Sequence, residues 1–291
     1  MNEKSFIGII CGLSAASIWG GMYVVSKVVL EVIPPFTLLT IRLVLGMLAL
    51  GTVIALRTKA EMTARQVWEI FLVGFVGYGI SLGFQFVGTK LSTASNASLV
   101  TSATPAFILL FAPFLLGEAT TLRRVIALVI STLGVIAVID PRTAQLSPSL
   151  FWGNMSLLSA ALTWALYSVL VRKTTQTTDV ITSTAIMLAG GLPTGIVFSA
   201  WEIKTQGVGV ITLGIVGGIL FLGIIATAVA MFLWNFAFAE LPAAVASLTF
   251  FAQPVVGSVL GAVFLGEKIT PLFLVGGLFI AIGLVIASRE S

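Results

Sequence analysis

Histidine is absent from this 291-residue chain, cysteine occurs once, and only 9% of the positions are charged. Without histidine there is no Ser/His nucleophile pair and no HExxH metal site. No paired carboxylates lie deep in an apolar run either, so the chain does not read as an enzyme and implies no metal or cofactor. The solitary Cys11 excludes an intrachain disulfide. So little charge could not cover the surface of a soluble domain of this size. Long polar stretches are missing too: the longest connections, Arg57 to Gln66 and Asp140 to Leu150, are too short to hold a soluble module. The alternation over about ten-residue segments that marks a membrane β-barrel is also lacking.

What the chain has is apolar sequence: 58% of its residues are hydrophobic and the mean hydropathy is +1.13. Continuous apolar runs fall at 6–30, 35–56, 67–89, 92–116, 122–139, 151–171, 180–201, 210–238, 242–264 and 271–287. Roughly 20 apolar residues, rising ~1.5 Å each, cross the hydrocarbon layer. The ten runs therefore predict an all-α membrane protein of ten transmembrane helices. Run 6–30 is longer than the roughly 7–15-residue core of a signal peptide, so it is expected to be retained.

The net charge of +4 lies mostly at the ends of these runs, which reads as membrane topology and not as a nucleic-acid surface. With the N-terminus on one side, that side collects Lys4, Arg57, Lys59, Arg65, Arg123, Arg124, Arg172, Lys173 and Arg289. The opposite side holds Lys90, Arg142, Lys204 and Lys268. The excess places both termini in the cytoplasm, for a multi-pass protein of the cell inner (cytoplasmic) membrane. Lys27 and Arg42 fall within or near the ends of spans. Both are expected to snorkel to the outer interface, with binding of a substrate carboxylate as the alternative.

The sequence repeats itself. Leu13-Ser14-Ala15-Ala16-Ser17-Ile18-Trp19 returns as Leu158-Ser159-Ala160-Ala161-Leu162-Thr163-Trp164, and at the same offset of 145 Lys27 maps onto Arg172. Ala97-Ser98-Leu99, Pro105, Leu116-Gly117-Glu118 and Thr121 return at an offset of 149 as Ala246-Ser247-Leu248, Pro254, Leu265-Gly266-Glu267 and Thr270. Residues 1–145 and 146–291 are therefore expected to be two five-helix repeats. Five is odd, so the second must enter the membrane the opposite way round. Inverted repeats of this kind build many transporters, with the binding site near midplane between the halves. Simple duplication of a membrane anchor is the competing account.

The Trp19 and Trp164 segments, Arg42, and the stretches ending in Glu118 and Glu267 resemble the ten-span EamA-type members of the drug/metabolite transporter superfamily. The most similar stretch runs from Thr227 through Leu233-Trp234, Ala244-Ala246-Ser247-Leu248 and Pro254 to Leu265-Gly266-Glu267-Lys268. The resemblance covers nearly the whole chain and specifies family better than substrate. It implies a secondary exporter of amino acids or similar small metabolites working by alternating access, with the aromatic amino-acid exporters as a plausible branch.

Polar groups inside spans are costly unless they face protein or water. Tyr78, Ser81 and Gln85 share a face of the third span by the i, i+3, i+7 rule. Ser98, Thr101 and Pro105 share one in the fourth, with Asn96 and Ser102 nearby. The eighth span offers Thr227, Met231, Trp234 and Asn235, and the ninth offers Ser247, Phe250, Phe251, Gln253 and Pro254. Such stripes could line a cavity for substrate or could be interhelical glue. The amides Gln85, Asn96, Asn235 and Gln253 are the stronger candidates. Trp19, Trp164 and Trp234 lie deeper than Trp68, Trp152 and Trp201, which read as interface anchors. Pro105 and Pro254 each remove a helix hydrogen bond mid-span and are candidate hinges.

Glu118 and Glu267 sit at span ends and read as structural turns. No Asp or Glu lies deep in a span, so transport is expected to be facilitated diffusion without obligatory proton coupling. Phosphorylated sugars or nucleotide sugars are a second substrate class, which would need paired basic residues in the cavity. A membrane scaffold is a third reading. Small-xxx-small pairs at Gly8/Gly12, Gly79/Gly83, Gly214/Gly218 and Gly257/Gly261 are explained by packing within one subunit, so a monomer in the lipid bilayer is expected.

Overall fold

The computed structural model describes residues 3–57, 62–92, 94–139, 148–265 and 271–288. Every regular element among them is helical. In chain order they are α1 (Glu3–Leu30), α2 (Pro35–Ala55), α3 (Ala64–Leu91), α4 (Ala94–Thr101), α5 (Thr104–Leu116), α6 (Leu122–Ile139) and α7 (Pro148–Thr175). They continue with α8 (Val180–Thr205), α9 (Leu213–Glu240), α10 (Ala243–Leu248), α11 (Ala252–Leu265) and α12 (Pro271–Ser288). Six of these, α1, α2, α3, α7, α8 and α9, are long and apolar enough to cross a membrane. The helices turn large apolar side chains outward, among them Phe6, Leu48, Leu72, Val197, Ile225 and Leu278. A surface of that kind is matched to hydrocarbon.

Two local devices occur twice. The third and eighth apolar runs fold as single 28-residue helices, α3 and α9, each interrupted by a π-helical stretch, Phe75–Ser81 and Phe221–Val229. The fourth and ninth runs are each broken. Ser102 and Ala103 separate α4 from α5, and a 3-10 turn over Thr249–Phe251 separates α10 from α11. Pro105 is in the first turn of α5 and Pro254 in the first turn of α11, positions where the missing N–H costs least. The two prolines thus start the second half-helix of each broken span, where mid-span kinks were expected. The Thr101 carbonyl left by the first break accepts from Thr104 Oγ1 at 2.7 Å.

Helices pack mainly against helices of the other half of the chain: α6 on α12, α2 on α8, α1 on α9 and α11, and α7 on α3 and α5. Glycines set these crossings and fix their directions. Gly8 abuts Leu241 while Gly218 abuts Val25 and Val29, so α1 and α9 run antiparallel. Gly77 abuts Tyr167 and Gly88 abuts Leu157, so α3 and α7 do the same. A Cβ on Gly74 would fall on the Met187 backbone and one on Gly190 on the Phe71 carbonyl, which makes the α3–α8 crossing a backbone-to-backbone contact. Gly8, Gly12, Gly79, Gly83, Gly218 and Gly257 all face neighbours within the chain.

The two sequence-equivalent cations, Lys27 and Arg172, do the same job in different places. Lys27 Nζ donates to the Thr89 and Lys90 carbonyls at the C-terminus of α3. Arg172 Nη1 donates to the Phe238 and Ala239 carbonyls at the C-terminus of α9. Each cation meets the negative end of a helix dipole. Since Gly8 packs beside Leu241, the Arg172 cluster lies at the start of α1. The Lys27 cluster lies about 28 Å further along it, at 1.5 Å per residue.

Candidate functional site

A small, partly open cavity lies between the halves, walled by Trp19, Met22, Ser81, Leu82, Gln85, Thr101, Thr104, Ala160, Ala161, Trp164, Met231, Phe250 and Gln253. Six elements of the fold reach it: α1, α3, the broken span α4–α5, α7, α9, and the broken span α10–α11. Its floor is aromatic. The Trp19 ring centroid is 5.5 Å from that of Trp164, edge to face, and 6.2 Å from that of Phe250. These rings present apolar faces, and the two tryptophans add one indole N–H each.

The polar wall is a relay of neutral groups. Gln85 Nε2 donates to Tyr23 Oη at 2.7 Å, Tyr23 Oη and Thr101 Oγ1 share a hydrogen bond at 2.9 Å, and Gln253 Nε2 donates to Thr101 Oγ1 at 3.4 Å. The two amides, one from each half, thus meet on a single hydroxyl pair. Trp19 Nε1 donates to the Ala226 carbonyl at 3.0 Å, in the π-helical stretch of α9. Its repeat equivalent, Trp164 Nε1, is buried and has no partner among the described residues. A buried donor without an acceptor costs about 1–3 kcal/mol, a cost that a bound acceptor would remove. None of the described side chains of this wall carries a carboxylate, an amine or a guanidinium.

Eight of the residues expected from the sequence meet at the cavity: Trp19, Ser81, Gln85, Thr101, Trp164, Met231, Phe250 and Gln253. Three others are packed behind it. Tyr78 and Tyr167 share a hydroxyl–hydroxyl contact, Asn235 Oδ1 accepts from Tyr167 Oη at 2.7 Å, and Asn235 Nδ2 donates to Thr184 Oγ1 at 2.9 Å. This closed network is fully buried and satisfies its own members. Trp234 is likewise buried and donates to Ser168 Oγ at 3.1 Å.

Ser98 is buried off the wall, its carbonyl accepting from Ser102 Oγ at 2.7 Å. The Asn96 side chain lies outside the described residues, as do Glu267, Lys268 and Thr270. Tyr78 departs from the face of Ser81 and Gln85 because it lies inside the π-helical stretch. There each turn takes up more than 3.6 residues and the i, i+3, i+7 rule no longer holds.

Arg42 corrects an expectation. It does not snorkel: it is fully buried on α2 and its guanidinium stays inside the protein. Its Nε donates to the Leu222 carbonyl at 3.1 Å and to Thr227 Oγ1 at 3.0 Å, and Nη2 reaches the Ala226 carbonyl at 3.4 Å and Met22 Sδ at 3.5 Å. The Phe86 ring lies 4.9 Å from its Cζ. Glu202, not singled out in the sequence, is also buried, at the C-terminal end of α8. Its carboxylate takes the Phe36 and Thr37 amides at 3.1 and 2.8 Å and so caps α2. An acid directly after an apolar run, the one ending at residue 201, was the signal. Glu118 fits its structural reading: it accepts from Arg172 Nε at 2.6 Å and from the Ala243 amide that opens α10.

The chain is similar to known proteins in sequence and in fold. The model of the EamA-like transporter family matches twice, over residues 6–139 and again over 151–289. Among curated relatives, the uncharacterized transporter YcxC of Bacillus subtilis is 27% identical over 276 residues, covering 91% of this chain and 88% of its own. An uncharacterized transporter of Archaeoglobus fulgidus is 24% identical over 273 residues, covering 94% and 95%. A crystal structure with 20% sequence identity superposes at a TM-score of 0.79 over 97% of this chain and 96% of its own.

Proposed function

The chain belongs to the EamA-like transporter family and is a multi-pass membrane transporter, and we propose that it carries small neutral metabolites, foremost amino acids, out of the cell through the central cavity. The observation that carries this reading is Trp164: a buried indole N–H without a partner, on the wall of a cavity whose other polar groups are amides and hydroxyls. Amides and hydroxyls meet both charged ends of a zwitterion, and the rings of Trp19, Trp164 and Phe250 suit an aromatic or other neutral side chain. The aromatic amino-acid exporters are the branch this lining favours.

In this proposal residues 1–145 and 146–291 are inverted five-helix repeats. The ten crossings are the six long helices, the 18-residue α6 and α12, and the broken spans α4–α5 and α10–α11. The double family match, the antiparallel pairing of α1 with α9 and of α3 with α7, and the Lys27 and Arg172 clusters at opposite ends of α1 support it. The breaks beside Pro105 and Pro254 serve as hinges for alternating access. Both termini lie in the cytoplasm by the excess of Lys and Arg, and the inward-facing glycines favour a monomer. With no carboxylate among the described wall residues, transport is facilitated diffusion without obligatory proton exchange.

Purified protein in liposomes should show saturable counterflow of labelled aromatic and neutral amino acids, unchanged by an imposed pH gradient. Flux that appears only with the gradient would overturn the uncoupled mechanism, and no flux for any amino acid would overturn the substrate class.

A further inference from the structure

We infer that Arg42 is the counter-cation for a single carboxylate on the transported molecule, reached from the central cavity when the Met22 side chain turns aside; this deepens the amino-acid reading and rests on it. Among the described residues no carboxylate pairs with Arg42. A guanidinium held inside a membrane protein without a counter-charge is expensive, and natural sequences keep such groups where they do a job. Its partners are all neutral: two carbonyls, one hydroxyl and one thioether. They occupy Nε and Nη2, while the buried Nη1, with two N–H groups, has no acceptor among the described residues.

The position joins that unmet demand to the cavity. Met22 lines the cavity and accepts from Nη2. Trp19, another wall residue, donates to the same Ala226 carbonyl that Nη2 approaches. Phe86, stacked on the guanidinium, follows the wall residue Gln85 directly. Arg42 is therefore one side chain removed from the cavity, and the intervening side chain is an unbranched thioether with three rotatable bonds, the kind that repacks most readily. A weak thioether acceptor would give way to a carboxylate, which can accept from Nη1 and Nη2 together in the bidentate fork that guanidinium geometry favours. A phosphate monoester would bring up to two negative charges to this one cation, and the described wall offers no second cation. The geometry selects a monoanion.

The test is equilibrium binding to the purified full chain, read by quenching of intrinsic tryptophan fluorescence. Its probes are phenylalanine, phenylalaninamide and phenyl phosphate. Wild type should bind phenylalanine at least about tenfold tighter than the amide, the discrimination expected when a charge-assisted hydrogen bond is lost. It should bind phenyl phosphate no tighter than phenylalanine. Arg42→Gln should bring phenylalanine and the amide to within about twofold of each other, and Arg42→Lys should keep part of the preference.

Since Arg42→Gln also strips donors from the Leu222 and Ala226 carbonyls, the wild-type comparison stands even if that variant does not fold. Equal wild-type binding of acid and amide overturns the Arg42 assignment and leaves the transporter reading intact. So does a folded Arg42→Gln that keeps the preference, which would make the residue a structural strut for the π-helical stretch. Binding of none of the three probes overturns the amino-acid reading and Arg42's role with it.

Discussion

Two tryptophans at equivalent repeat positions have opposite hydrogen-bond accounts, and that difference separates structure from binding. Trp19 Nε1 is satisfied by the Ala226 carbonyl, whereas Trp164 Nε1 has no acceptor among the described residues. Trp19→Phe should therefore cost stability, about 1 kcal/mol for the lost hydrogen bond, seen as a lower thermal unfolding midpoint in detergent. Trp164→Phe should leave the midpoint near that of wild type and weaken amino-acid binding by about five- to tenfold, the worth of about 1 kcal/mol of hydrogen bonding. A Trp164→Phe protein with unchanged affinity would remove this residue from the binding surface. The repeat made both tryptophans visible in the sequence. Arg42 was legible as an intramembrane charge but its burial was not, because its acceptors are carbonyls 180 and 184 positions away on a helix whose π-helical stretch turns them toward it.

At the scale of elements, the apolar runs announced nearly all the helices, but not where they lose regularity. The stretches Phe75–Ser81 and Phe221–Val229 read as ordinary amphipathic turns in sequence, so Tyr78 and Asn235 were placed on a cavity face although they seal a network behind it. The broken spans were half legible: Pro105 and Pro254 marked the right places, and a proline can either kink a helix or begin one. Glu118 shows how such a break is held. One carboxylate binds Arg172 of α7, which in turn caps α9, and the same carboxylate receives the amide that starts α10. Two helix ends thus depend on one side chain that is 15% exposed. Glu118→Gln keeps the shape but removes the charge opposite Arg172. It should lower the unfolding free energy by about 3 kcal/mol, the lower end for breaking a buried pair, measurable as a drop in the thermal midpoint. An unchanged midpoint would show that the amide hydrogen bond alone holds the junction.

For the whole molecule, the pairings are unchanged when the halves are exchanged. The contact of α1 with α9 becomes that of α7 with α3, the contact of α1 with α11 becomes that of α7 with α5, and α2–α8 and α6–α12 map onto themselves. Such a set is what a two-fold relation between the halves requires. If its axis lies in the membrane plane, equivalent positions must open to opposite compartments, and opening one mouth rehearses the packing changes that open the other. Arg57 and Gln206 test this directly. Arg57 follows the end of α2, and Gln206 follows the end of α8, the repeat equivalent of α2. Both side chains are exposed, and Gln206 receives a hydrogen bond from Lys90 at the far end of α3. In a Cys11→Ser background, Gln206→Cys should react with a membrane-impermeant maleimide added to intact cells, and Arg57→Cys should react only after the membrane is opened. Labelling of both from outside, or of neither, would mean that the halves cross the bilayer in parallel. The proposed alternating access through the shared cavity would then have no symmetry to rest on.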